Sequence, residues 1–241
     1  MSFTPRVFIN DELFLDKEIK INDKIFHYIA NVMKCRINDK IILINGKDGE
    51  FLSKIVFINN KYLNLKIVEK TKDFLKQPFL GLIFSPIQKI DILLKGATEL
   101  GTTNFFPVNT NFTNKSNIKI NKIDGNIIEA VEQSERLDLP EICKIDTLKN
   151  TLDKISKKNS IIFFCEERTS KNSPMEVYKN TDVSNKKIYA LVGPEGGFSE
   201  SEKELIKSYS NVVSITLGNT ILRAETAVIS ILSTLKALYY L

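Results

Sequence analysis

Between Asp23 and Arg36, apolar residues recur at Ile25, Phe26, Ile29, Val32 and Met33, a spacing that predicts a first helix. From Lys40 the pattern shortens to β-rich runs at 41–44, 51–58 and 62–68, divided by the turn NGKDG and by Asn59-Asn60. Runs of that length with turn residues between them predict an antiparallel meander, and with the helix they suggest a compact β-barrel-like module. The polar connector TKDFLKQP then marks a boundary, giving a first domain over 1–72 and a second over 73–241.

Beyond the connector, strand-like and helix-like segments alternate. Strands are expected at 79–84, 104–108, 160–165, 187–192 and 212–217, and helices at 90–100, 122–137, 200–209 and 223–240. Strands joined by helical crossovers imply an α/β domain with a mostly parallel sheet covered on both faces. In such sheets ligands bind where strands end and loops lead into helices.

Two loops of that kind carry unusual residues. The first follows IYALV and reads Gly193-Pro194-Glu195-Gly196-Gly197-Phe198, then Ser199 and Glu202 in a capping-box pattern opening a helix. The second follows VVSITL and runs from Gly218 to Thr226 into the last helix. Both should lie on one sheet edge. Neither matches GxGxxG or GxxxxGK[ST], so dinucleotide and P-loop mechanics do not transfer. Glu225 complements the dipole at the start of the last helix, whereas Arg223 opposes it. The arginine is therefore better explained by an anionic ligand or by a carboxylate such as Glu195. Glu99, Glu132, Gln133 and Arg136 form polar clusters late in predicted helices, where a solvated face is the commoner explanation.

Composition narrows the chemistry. Three cysteines, Cys35, Cys143 and Cys165, stand far apart without CxxC, so neither a disulfide framework nor a zinc site is suggested, and no metal is expected. His27 is the single histidine, and its place in a helix favours packing over catalysis. No signal peptide or bilayer-length apolar stretch is visible, which makes a soluble cytoplasmic protein with no membrane partner the expectation. Net charge is +5, and residues 1–78 hold 14 basic against 10 acidic residues. That local excess fits a polyanionic partner such as RNA, or a lysine-solvated surface.

Taken together, HYIANVMKCRINDKIILINGKDG, QKIDILLKGATELG with FFPVNT, EQSERLDLPEI, LVGPEGGFSESE and LGNTILRAETAVISIL resemble the bacterial 16S rRNA (uracil-N3)-methyltransferases of the SPOUT, or trefoil-knot, superfamily. The likeness spans nearly the whole chain. Two positions depart from the family's habit, Lys34 for arginine and Thr102 for valine. The resemblance implies a small PUA-like β-barrel domain, a SPOUT domain whose C-terminal segment is knotted, a homodimer, and 16S rRNA or the small ribosomal subunit as partner. The knot comes from the family; no periodicity reveals it.

The cofactor implied is S-adenosyl-L-methionine, surrounded by Leu191, Gly193, Glu195 and Gly196 from the first loop and Leu217, Gly218, Ile221, Leu222, Arg223 and Thr226 from the second. Arg223 and Glu225 are the expected catalytic residues. Arg223 would stabilise negative charge on the uracil carbonyls as N3 attacks the methyl group, with the base left open between Glu225, Glu195 and water. Arg6, Lys34 and Arg36 would contact phosphates, and Glu99, Gln133 and Arg136 would line the RNA entrance. Competing readings are a SPOUT enzyme for another RNA position, a noncatalytic ribosome-assembly factor, and an ATP-using α/β enzyme, the last weakened by the missing Walker loop.

Overall fold

A computed structural model describes residues 4–113, 120–166 and 174–239. The chain forms two units, Met1–Gln77 with Val131–Leu139, and Pro78–Ala130 with Pro140–Leu241.

The first unit holds β1 (Arg6–Phe8), β2 (Glu18–Ile21), α1 (Asp23–His27), β3 (Lys40–Ile44), β4 (Glu50–Ile58) and β5 (Leu63–Lys72) in a sheet ordered β1-β3-β4-β5-β2. The predicted meander is β3-β4-β5, antiparallel throughout, while β1 joins β3 in parallel and makes the sheet mixed. Alternation drives it: Ile41, Leu43, Ile55, Leu63, Leu65 and Ile67 are fully buried on one face. Each such side chain contributes about 1.5–3 kcal/mol relative to exposure. The predicted first helix is real but short. α1 passes into one π-helical turn, Tyr28–Val32, and ends because Lys34 takes a left-handed conformation, φ +55°. That conformation lets the Cys35 N–H reach back to the Ile29 carbonyl at 3.1 Å.

Two arginines expected at RNA, Arg6 and Arg136, form internal ion pairs. Arg6 is only 7% exposed and donates from Nη2 to Glu50, which also accepts from Thr71 Oγ1 at 2.8 Å. Arg136, equally buried, forks onto Asp138 at 2.6 and 3.1 Å. Both guanidiniums are buried in ion pairs with internal carboxylates, and Arg6 Nη1 has no hydrogen-bond partner among the described residues.

The second unit contains β6 (Leu80–Phe84), α2 (Ile90–Glu99), β7 (Asn104–Asn109), α3 (Ile120–Gln133), β8 (Glu141–Ile142), β9 (Asp146–Thr147), α4 (Leu148–Ser156), β10 (Ser160–Cys165), α5 (Pro174–Asn180), β11 (Lys187–Val192), α6 (Glu200–Lys207), β12 (Val212–Ile215) and α7 (Ala224–Tyr239). The last residues of α3 fall in the first unit. The sheet runs β12-β10-β11-β6-β7-β8, with β9 beside β7, and each pairing is parallel. β6, β10 and β11 are apolar along nearly their whole length, as a sheet covered on both faces requires. Gly81 on β6 faces Tyr189 on β11, and a Cβ there would lie 2.4 Å from the ring. The glycine makes room for Tyr189, whose ring meets Phe79 edge-on with centroids 5.0 Å apart.

This packing makes two substitutions costly. Gly81→Ala overfills the sheet and should cost about 1–3 kcal/mol, read as a lower urea midpoint at unchanged m. Glu50→Gln removes the nearer carboxylate from buried Arg6 and leaves only Glu135 Oε2, 3.5 Å from Nη2, so it should cost up to about 3–5 kcal/mol, the cost of breaking a buried pair. In the native protein burial pushes the Glu50 carboxyl up, but the Thr71 hydrogen bond and the Arg6 charge outweigh it and hold the group below the usual range. Its contribution is therefore present above the unfolded value of about 4.3 and is lost as pH falls through the lower folded value. Acid titration of stability should show a shallower fall in Glu50→Gln than in the native protein.

Candidate active site

Because β10 lies between β11 and β12 and all three are parallel, their carboxyl ends open on one edge. Phe198 folds back under the first loop, its ring edge-on to Phe164 with centroids 5.5 Å apart. Gly193 permits this, since a Cβ there would sit 2.8 Å from the Phe198 ring. Downstream the predicted capping box forms: the Glu202 N–H reaches Ser199 Oγ at 3.3 Å, and the Ser199 N–H reaches Glu202 Oε2 at 2.9 Å.

The end of β10 with Glu166, the loops after β11 and β12, and the start of α7 enclose a cavity of about 780 Å³. All of the loop residues predicted to hold a cofactor line it except Leu191 and Thr226. Leu191 is buried in the sheet, and Thr226 is exposed on α7. Phe164, Val192 and Ala227 add apolar wall, and the small Ala224 and Ala227 keep the first turn of α7 from closing the space.

Arg223 lies on the cavity wall, is exposed, and makes no ion pair among the described residues. The expected partnership with Glu195 is not formed; Glu195 Oε1 instead accepts the Gln88 N–H at 3.3 Å. Glu225 is buried, off the wall, with Oε1 3.7 Å from Lys89 Nζ. Lys34 and Arg36 are exposed in the first unit, as is Gln133 in its returning segment, and Glu99 is exposed at the end of α2.

The sequence reading missed the contribution of β10 and of α6. Phe164, Cys165 and Glu166 line the cavity, as does Lys203. Burial raises the Cys165 thiol far above its ordinary value, so it stays protonated and offers no nucleophile. Glu166 is buried and its Oε1 lies 2.5 Å from Lys207 Nζ. A strand end carrying FFCEE is a signal only once β10 is known to sit between the two loop-bearing strands, and strand order is not written in local pattern. Among the described residues there is no group of three or more His, Cys, Asp or Glu able to hold a metal, and no helix long and apolar enough to cross a membrane.

Comparison with known proteins places this geometry. Residues 76–236 match the RNA methyltransferase domain family and residues 21–68 the RNA methyltransferase PUA domain. The chain is 36% identical to the ribosomal RNA small subunit methyltransferase E of Rickettsia conorii, over 97% of this chain and 95% of that one. Its fold is that of the Neisseria gonorrhoeae ribosomal RNA small subunit methyltransferase E bound to S-adenosyl methionine, with TM-score 0.84, 24% identity and 98% of both chains covered. It is equally that of a putative methyltransferase from Legionella pneumophila in complex with the same cofactor, with TM-score 0.85, 22% identity and 98% of both chains covered. The α/β unit thus carries the RNA methyltransferase domain and the first unit the PUA domain, and the chain belongs to the RNA methyltransferase family that includes the ribosomal RNA small subunit methyltransferases E.

Proposed function

We propose that the protein transfers the methyl group of S-adenosyl-L-methionine to N3 of a uridine in the 16S rRNA of the small ribosomal subunit. The observation that carries this reading is the cavity between the glycine loops, with an exposed arginine on its wall. The residues present fit the cofactor. Phe164, Val192 and Ala227 offer an apolar bed for adenine, and the bare backbones of Gly193 and Gly196 allow close approach. Glu166, Glu195 and Lys203 supply charges of both signs for an ammonium and a carboxylate.

Bound there, S-adenosyl-L-methionine supplies an electrophilic methyl group on a sulfonium. The remaining work falls to the chain. N3 carries a proton at neutral pH, and losing it places negative charge on the flanking carbonyls. Arg223, on the cavity wall, stabilises that charge. Glu195, exposed on the same wall, takes the proton directly or through water. Glu225 braces the start of α7 against Lys89 and acts through Arg223.

Binding of RNA rests on exposed cations of the first unit. Lys34 and Arg36 keep that role, and Lys40 and Lys54, opposite each other across β3 and β4, replace Arg6. Like charges in register repel unless an anion lies over them. Gln133 and Glu99 remain candidates for the RNA entrance. Family membership supports a cytoplasmic homodimer, and exposed Ile92 on α2 and Ile229 on α7 are apolar surface suited to a second copy.

Methyl transfer to small subunits lacking the modification, followed by mass spectrometry of the nucleosides, should yield 3-methyluridine; another methylated nucleoside would move the target and keep the cofactor. Arg223→Ala should lower single-turnover methylation on the order of 100-fold or more at unchanged thermal stability, as loss of one charge-stabilising donor does. An unchanged rate removes Arg223 from the chemistry.

A further inference from the structure

The turn that follows β7 is pinned to the cofactor loop. The Asn111 N–H donates to Glu202 Oε1 and its side-chain amide to Ser199 Oγ, both at 2.8 Å. Thr110 and Thr113 close the turn, with the Thr110 N–H on Thr113 Oγ1 at 2.6 Å and Thr113 Oγ1 2.7 Å from Ser85 Oγ at the end of β6. Glu202, 9% exposed, uses its other oxygen to hold the Ser199 N–H. One carboxylate therefore fixes both the turn and the helix that leaves the glycine loop.

At the tip of this turn stands Phe112. Its side chain lies on Gly196, where a Cβ would come within 3.0 Å of Phe112 Cβ and 3.4 Å of Cγ. Gly196 lines the cavity, yet Phe112 is 53% exposed. A lone exposed apolar residue is ordinary on a protein surface. This one differs in being held by hydrogen bonds on both sides and seated on the wall of the methyl-transfer site.

We propose that Phe112 is the stacking platform for the target base, an inference that rests on the RNA-methylation reading above. A base modified at N3 must leave its pair and its neighbours, and an aromatic face restores the stacking it loses. Phenylalanine has no donor or acceptor, so it holds any base alike, and recognition of uracil falls to polar groups such as Arg223. Asn111 and Glu202 are positioning residues that keep the platform in fixed relation to the glycine loop.

Phe112→Leu keeps apolar volume and removes the aromatic plane. It should lower kcat/KM for unmethylated small subunits roughly 5- to 100-fold, the effect of losing one base–aromatic stack, at unchanged dissociation constant for S-adenosyl-L-methionine. The chain has no tryptophan, so Phe112→Trp restores an aromatic plane and adds a single fluorophore. It should recover most of the loss. Its emission should be quenched by an RNA oligonucleotide carrying the target uridine, and much less by the same oligonucleotide abasic at that position. Equal quenching by both, or an unchanged kcat/KM in Phe112→Leu, overturns the proposal. The nucleoside formed by the native enzyme tests the N3-uridine reading separately: a different methylated base overturns that reading, while the Phe112 variants still report on stacking of whichever base is modified.

Discussion

The position of β10 between β11 and β12 is the constraint on which the site depends. Parallel neighbours are about 4.8 Å apart, so strands separated by one intervening strand stand roughly 10 Å apart. Their loops cannot close on each other, and the space between them is floored by whatever ends β10. Here that is an aromatic, a half-buried thiol and a buried carboxylate, a mixed floor suited to a ligand that is part heteroaromatic and part charged. The same parallel arrangement brings β6 and β7 to the same edge, which is why the turn at Asn111 and Phe112 reaches the helix leaving the first glycine loop.

Rigidity at that edge comes from a few shared groups. Glu202 is the clearest, since it completes the cap of α6 and clamps the turn after β7 with its two oxygens. Glycine serves the same end by removing bulk: Gly81 admits the Tyr189 ring within the sheet, and Gly193 admits Phe198 beneath the loop. These contacts fix the walls of the cavity, on which the exposed Arg223 stands.

Elements with strong periodicity were legible. β10 and β11 have the bounds expected from their apolar runs, and the capping box at Ser199 and Glu202 forms as its spacing implied. Short pieces were not. β1 is three residues and β8 and β9 are two each, too brief to show a period, and they exist because a neighbouring strand offers an edge. α4 was missed although Thr147 caps it through the Asn150 N–H at 3.1 Å and Leu148, Leu152 and Ile155 recur at helical spacing. The two signature loops were legible as cavity walls, but Phe164, Glu166 and Lys203 depend on strand order, and the pairing of Glu225 with Lys89 depends on a contact across the chain.

Charge shows the same division between what sequence counts and what structure uses. The excess of cations in the first 78 residues suggested a polyanionic partner, yet part of it is internal. Arg6 and Lys72 both serve Glu50, and Lys17, Lys66 and Lys70 have nearby aspartates. The register decides what remains. Lys40 faces Lys54 across β3 and β4, while Lys66 beyond them on β5 has Asp16 nearby and Glu18 beside it on β2, so two lysines remain side by side on the outward side of the sheet. Such a pair is unfavourable for an isolated domain and favourable beneath an anion. How many of the first unit's cations face solvent therefore depends on the pairing of its strands as much as on its composition.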